Sequence, residues 1–347
     1  MKYSPRLNFV AFGAFALTFA MSANADPLAE LSAVSTFKSV DLEKLAGGTA
    51  QIARGPAMSL PRGLAVESVY VVRKPVQKTL ELFVQWNPNK HPELKVFLHT
   101  ELSAHPALAE FQKIASAPGN SSVKAFSAAT EKLGGGTSPL QLSNADVKAF
   151  AGQAAAGASG GALPPKVEAF WSGILFERAR AFLSGGLPHL PAYETGGETI
   201  RPADEIGRLL KDAPKVREQF GALIEANPLT GGKLVAPQSA YWEMIDVDGQ
   251  AAVNLGALYV RAKGDAVQAV EGQYYCSGGY YALLTFYQYW PVTIAGHDCT
   301  LIWRTDLISA AELATLHGME RMGSSTAMMR ETKKAIETFL KDAARTP

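Results

Sequence analysis

The residues best placed to do chemistry are Arg304 and Asp306, in the run Trp303-Arg304-Thr305-Asp306. In a strand, alternate residues share a face, so Arg304 and Asp306 point one way and Trp303 and Thr305 the other. Turned inward, Arg304 is a buried cation aimed at an anionic ligand headgroup, with Asp306 or Glu320 as partner. Turned outward, the two make a solvent-side ion pair that contributes little. A second charged group amid apolar sequence is Gly318-Met319-Glu320-Arg321-Met322.

The densest set of ligand-capable side chains is His91, Glu93, His99 and His105, around Pro92 and Pro106. His91 and Glu93 are two apart and could share one face of an extended segment, with His99 completing a metal site. No spacing here matches a zinc signature, however, and no metal or other cofactor is assigned. Gly157-Ala158-Ser159-Gly160-Gly161 has the form G-x-S-x-G. A nucleophile elbow needs a strand before it and a helix after it, whereas here a Gln/Ala/Gly tract precedes and Pro164-Pro165 follows. The stretch Ala151–Ala162 therefore reads as a linker or loop. Gly134-Gly135-Gly136 lacks the Lys and Ser/Thr of a phosphate loop.

Aromatic residues crowd the region from Tyr274 to Trp290. Tyrosine brings an apolar body with a polar tip, which suits the lining of a mixed cavity as well as a plain core. In the strand expected there, Tyr280, Ala282, Leu284 and Phe286 share one face, and Tyr281, Leu283, Thr285 and Tyr287 the other. Met319, Met322, Met328 and Met329 would supply an adaptable wall. The candidate ligand-binding residues are thus Arg304, Tyr280, Phe286, Trp303, Met322 and Met329, and no catalytic residue stands out.

The elements that must position these residues follow from periodicity. Leu28–Leu45 is weakly helical and ends at Gly47-Gly48. Leu64–Val72 is rich in Val and Tyr, as a strand is. Val76, Leu80, Phe83 and Val84 then fall at helical spacing and stop at Trp86, before Asn87-Pro88. Between His91 and Asn227 the readable periodicity is helical: Pro106–Ala115, Lys166–Leu183, Asp204–Leu210 and Pro214–Ile224. From Ala240 the chain switches to five strands: Tyr241–Val247, Ala251–Arg261, Ala266–Cys276, Tyr280–Trp290 and Thr300–Leu307. Turn signals such as Asp248-Gly249 and Lys263-Gly264-Asp265 separate them, so an antiparallel meander is expected. A long helix, Ser324–Ala343, closes the chain, capped at Ser324 or Ser325, with Met329, Ile336, Phe339, Leu340 and Ala343 as its apolar stripe. The fold class is α+β: a curved antiparallel sheet packed on a long C-terminal helix, with a mostly helical insertion after the first strand–helix unit.

This order resembles the START-like, helix-grip superfamily of lipid-transfer, polyketide-cyclase-like and plant-allergen domains. The likeness rests on Val69-Tyr70-Val71-Val72-Arg73-Lys74-Pro75-Val76 running into the Leu80–Trp86 helix, and on Leu301-Ile302-Trp303-Arg304 leading toward the terminal helix. It covers residues 64–100 and 240–343; residues 101–239 are the insertion. The resemblance implies a cavity between sheet and terminal helix that takes an apolar or amphipathic, lipid-like molecule.

Compartment comes from the start of the chain. Lys2 and Arg6, an apolar run from Phe9 to Met21, and Ala23-Asn24-Ala25 have the order of a cleaved signal peptide. Residues 1–25 are thus expected to be removed and 26–347 to form one exported domain, periplasmic or extracellular. No other run reaches transmembrane length. With 33 basic and 32 acidic residues in no block of either sign, nothing suggests nucleic acid as a partner. The two cysteines, Cys276 and Cys299, are too few for a disulfide-built scaffold, and the meander would hold them about 30 Å apart, too far for a bond. The expected function is non-catalytic small-molecule binding. The alternatives are a periplasmic hydrolase or cyclase-like enzyme, and an envelope protein-interaction module.

Overall fold

The computed structural model describes residues 26–135, 138–152, 161–195, 197–316 and 318–346. The expected signal peptide, most of the Ala151–Ala162 tract and most of the G-x-S-x-G match lie outside them.

Eight strands, β1 (Ala50–Arg54), β2 (Gly63–Val72), β3 (Val96–Glu101), β4 (Ser239–Val247), β5 (Gln250–Lys263), β6 (Ala266–Cys276), β7 (Ala282–Ile294) and β8 (His297–Ser309), form one curved, unclosed antiparallel sheet. Their order is β1-β2-β8-β7-β6-β5-β4-β3. The five consecutive strands β4 to β8 are the expected meander. At Asp248-Gly249 (φ 50° and 87°) and Ala295-Gly296 (φ 50° and 78°) both central residues of the turn are left-handed, which suits the twist of a two-residue hairpin. β2 closes one side by pairing with β8, and β3 adds to β4 on the other.

The helices are α1 (Pro27–Val34), α2 (Leu42–Ala46), α3 (Val76–Gln85), α4 (Leu108–Phe111), α5 (Ser121–Glu131), α6 (Asn144–Gly152), α7 (Pro165–Gly185), α8 (Pro202–Lys211), α9 (Pro214–Glu225) and α10 (Gly318–Arg345). None among the described residues is long and apolar enough to cross a membrane. The sheet is covered on both faces. Val123 and Phe126 of α5, Trp171, Leu175 and Phe182 of α7, Ile206 and Leu209 of α8, and Phe220 of α9 build the larger core on one face, against Trp242, Leu284, Phe286 and Trp303. On the other, Ile336, Phe339, Leu340 and Ala343 of α10 join Leu80 and Phe83 of α3 against Tyr70, Leu258, Tyr287 and Ile302.

Several sequence expectations need correction. Leu28–Leu45 is two helices, because Ser35 turns its hydroxyl onto the Leu31 carbonyl and ends the first. α10 begins at Gly318, so neither Ser324 nor Ser325 caps it; Ser325 is buried within the helix. β7 starts at Ala282, two residues later than expected. Gly279 (φ 87°) bends the chain just before it, so Tyr280 does not share the Phe286 face. The short strands β1 and β3 and the helices α5 and α6 had no counterpart in the sequence reading. Cys276 and Cys299 are both buried and free, as expected of that register.

Candidate functional site

The α10 side of the sheet is built by alternation. β3 sends His99 and Glu101 to it, β4 Tyr241 and Glu243, β6 Glu271 and Gln273, β7 Thr285 and Tyr287, and β8 Arg304. Cross-strand register brings them together: His99 lies opposite Glu243, Glu271 opposite Thr285, and Tyr287 opposite Arg304. Above this polar floor, α3 supplies Phe83 and Val84, the residue that ends it supplies Trp86, and α10 supplies Thr332 and Ala335. Between them is a cavity of about 340 Å³, with one wall mostly apolar and the other densely hydrogen-bonding.

β5 contributes by what it lacks. Gly256 sits between Tyr241 and Gln273 in the register, at a bulge, and the Tyr241 ring lies directly over it. A Cβ there would come within 2.3 Å of Tyr241 Cζ. With that space open, the phenol crosses β5 and donates to Glu271 Oε1 at 2.6 Å, while Tyr287 Oη donates to Oε2 at 3.1 Å. Burial pushes the Glu271 carboxyl above its usual range, and the two phenols and the nearby Arg304 oppose that rise.

His99 lies between two carboxylates, with Nδ1 2.9 Å from Glu243 Oε1 and Nε2 3.0 Å from Glu101 Oε1. Burial works against its charge, but the two hydrogen-bonded carboxylates prevail and raise its pKa to about 9. It is therefore an imidazolium near neutral pH, donating from both nitrogens. Glu243 is only 7 % exposed, and its second oxygen makes no hydrogen bond to the described residues.

Arg304 does face this cavity, and Asp306 is its partner. Arg304 Nε is 3.0 and 2.9 Å from the two Asp306 oxygens, and Nη2 is 2.7 Å from Oδ1. Asp306, 1 % exposed, also accepts from Thr285 Oγ1 at 2.7 Å. Burial works against the guanidinium charge, and Asp306 more than offsets it. Glu320 is exposed on the first turn of α10 and makes no ion pair with Arg304.

The other sequence candidates scatter. Tyr280 donates to Gln273 Oε1 and so supports the cavity wall from behind. Phe286 and Trp303 lie on the opposite face, with ring centroids 5.0 and 6.1 Å from that of Phe220. Met322 is 51 % exposed and its carbonyl accepts from Arg54; Met329 is half-buried on α10. The histidine set separates: His91 Nε2 bonds Asp342 at 2.7 Å, where Trp86 Nε1 also donates at 2.9 Å, tying the loop after α3 to the end of α10. Among the described residues no three His, Cys, Asp or Glu side chains converge as a metal site.

Tyr241, Glu243, Glu271 and Gln273 were not singled out from sequence. Their signal was present: two polar or phenolic residues at i and i+2 inside otherwise apolar strands mark one polar stripe per strand.

No family model and no curated protein matches the sequence. Among solved structures, an uncharacterised protein from Rhizobium leguminosarum is similar at 12 % identity and a TM-score of 0.20, covering 40 % of this chain and 87 % of that one.

Proposed function

We propose that this protein is an exported, non-catalytic carrier or receptor for a small amphipathic molecule, held between the curved sheet and the helices α3 and α10 in the manner of a START-like domain. The observation that carries the reading is the two-sided cavity: Phe83, Val84 and Trp86 face Glu243, Glu271 and Gln273 across about 340 Å³. An apolar wall opposite fixed polar groups is the usual make-up of a small-molecule site. The signal-peptide order of residues 1–25 supports export.

Native mass spectrometry of protein purified from the cell envelope tests this. A small-molecule adduct is expected on the wild type. It should be lost from Gly256→Ala, whose new methyl group collides with Tyr241 and displaces it into the cavity. A bare mass for wild-type protein overturns the reading.

Glu271 supports a second reading. A carboxyl with a raised pKa, held by two phenols in a cavity, suits proton transfer to or from a bound substrate. Turnover lost in Glu271→Gln with ligand affinity kept would favour an enzyme.

A further inference from the structure

We infer that the cavity selects organic cations, alkyl amines or ammonium compounds, over anions of the same shape; this rests on the small-molecule reading above. Unspent charge and hydrogen-bonding capacity favour the cation. Arg304 gives Nε and Nη2 to Asp306; its Nη1 has no partner among the described residues, but an incoming anion there meets a charge that Asp306 already neutralises. His99 gives one nitrogen to Glu243 and the other to Glu101, and keeps no N–H for a ligand. Each cation of the wall is therefore matched in charge within the protein, Arg304 by one carboxylate and His99 by two.

The carboxylates are not. Glu243, 7 % exposed, lines the cavity with one oxygen that no described residue bonds. That oxygen opens on the cavity and is free to accept from a ligand's donor. Glu271 receives two neutral phenols and no directly bonded cation. Glu331, at the α10 rim, is already bonded to Lys334 and Arg330 and adds no free acceptor. Phe83 and Trp86 also line the cavity, and aromatic faces favour a cation over an anion; the Tyr287 ring already carries Arg304, 5.6 Å from its centroid. An ammonium group between Glu243 and Glu271, with its alkyl body against α3, fills each of these needs.

The test uses the full mature chain and three probes of one chain length: octylamine, octanol and octanoate. Affinities are measured by isothermal titration calorimetry near neutral pH. Octylamine should bind at least about tenfold tighter than octanoate, since a charge-assisted hydrogen bond that only the amine can make is worth that much. Glu271→Gln, which keeps an oxygen for the phenols, should narrow the ratio. Glu243→Gln should narrow the ratio further, with an unchanged far-ultraviolet circular dichroism spectrum showing that it folds. Equal or tighter binding of octanoate overturns the inference, and so does tightest binding of octanol, though the latter leaves the small-molecule reading standing. Binding of none of the three overturns both.

Discussion

The two faces of one sheet differ in how they use polar groups. On the face toward α5–α9, some polar side chains bond one another, as Gln219, Gln268 and Gln288 do and as Trp290 Nε1 does with Glu30, while the buried Tyr259 and Tyr274 hydroxyls and Trp303 Nε1 have no hydrogen-bond partner among the described residues. The remainder is large apolar side chains such as Trp303, Phe286 and Trp171. On the face toward α3 and α10, β4, β6, β7 and β8 each contribute charged or phenolic residues, and their bonds surround a cavity where a Glu243 oxygen has no partner among the described residues. Since successive residues alternate faces, the same ten or so residues of a strand serve both purposes. The larger apolar core is on one side and the polar-walled cavity on the other, and a one-residue slip in register would exchange them.

The largest expected effect comes from breaking the dry face. Phe286, fully buried against Phe220, should cost about 3–5 kcal/mol when replaced by alanine, as such truncations leave a cavity that neighbours only partly fill. Urea unfolding measures it. A loss below about 1 kcal/mol would show that this face is not the principal core.

A smaller effect, of distinct pH signature, comes from the cavity face. His99 has its pKa raised from about 6.5 to about 9, so the folded protein holds a proton that the unfolded chain releases. Its contribution is fully present below about pH 6.5 and is lost as pH rises through about 9, up to roughly 3 kcal/mol at one pKa unit per 1.4 kcal/mol. Stability of the wild type should therefore fall across that window, and His99→Gln should flatten the fall. An identical slope in both proteins would separate His99 from the effect.

The dry face was far more legible in the sequence than the site. Turn signals and β-branched or aromatic runs located all five meander strands, because those elements are defined by local rules. The first strand and its helix were legible for the same reason. β3 was not, although it carries His99. Its Val-Phe-Leu-His-Thr-Glu run is short, and it becomes a strand only because β4 offers an edge to pair with. Arg304 was found because its charge stands out beside Trp303. Glu271 and Tyr241 meet across an intervening strand, through the gap at Gly256, so no spacing within the chain announces their contact. Phe286 and Trp303 were assigned to the ligand on residue type alone; the strand period puts them on the face opposite Arg304 and Tyr287.

The sharpest comparison of the two faces is one substitution, Tyr to Phe, made once on each. Tyr287 Oη donates to Glu271 in the cavity, so Tyr287→Phe removes a hydrogen bond and leaves a carboxylate oxygen less well supplied, at a cost of about 1 kcal/mol. Tyr274, in the next strand but on the dry face, stacks on Phe182 with ring centroids 3.8 Å apart, and its buried hydroxyl has no hydrogen-bond partner among the described residues. Tyr274→Phe removes a group that is desolvated without compensation and keeps the stacked ring. It should be neutral or stabilising by up to about 1 kcal/mol. Chemical denaturation of the two variants beside the wild type reads the signs directly. Opposite signs confirm that hydroxyls are functional groups on one face and passengers on the other; a loss at Tyr274 as large as at Tyr287 would show that both faces depend on their polar tips alike.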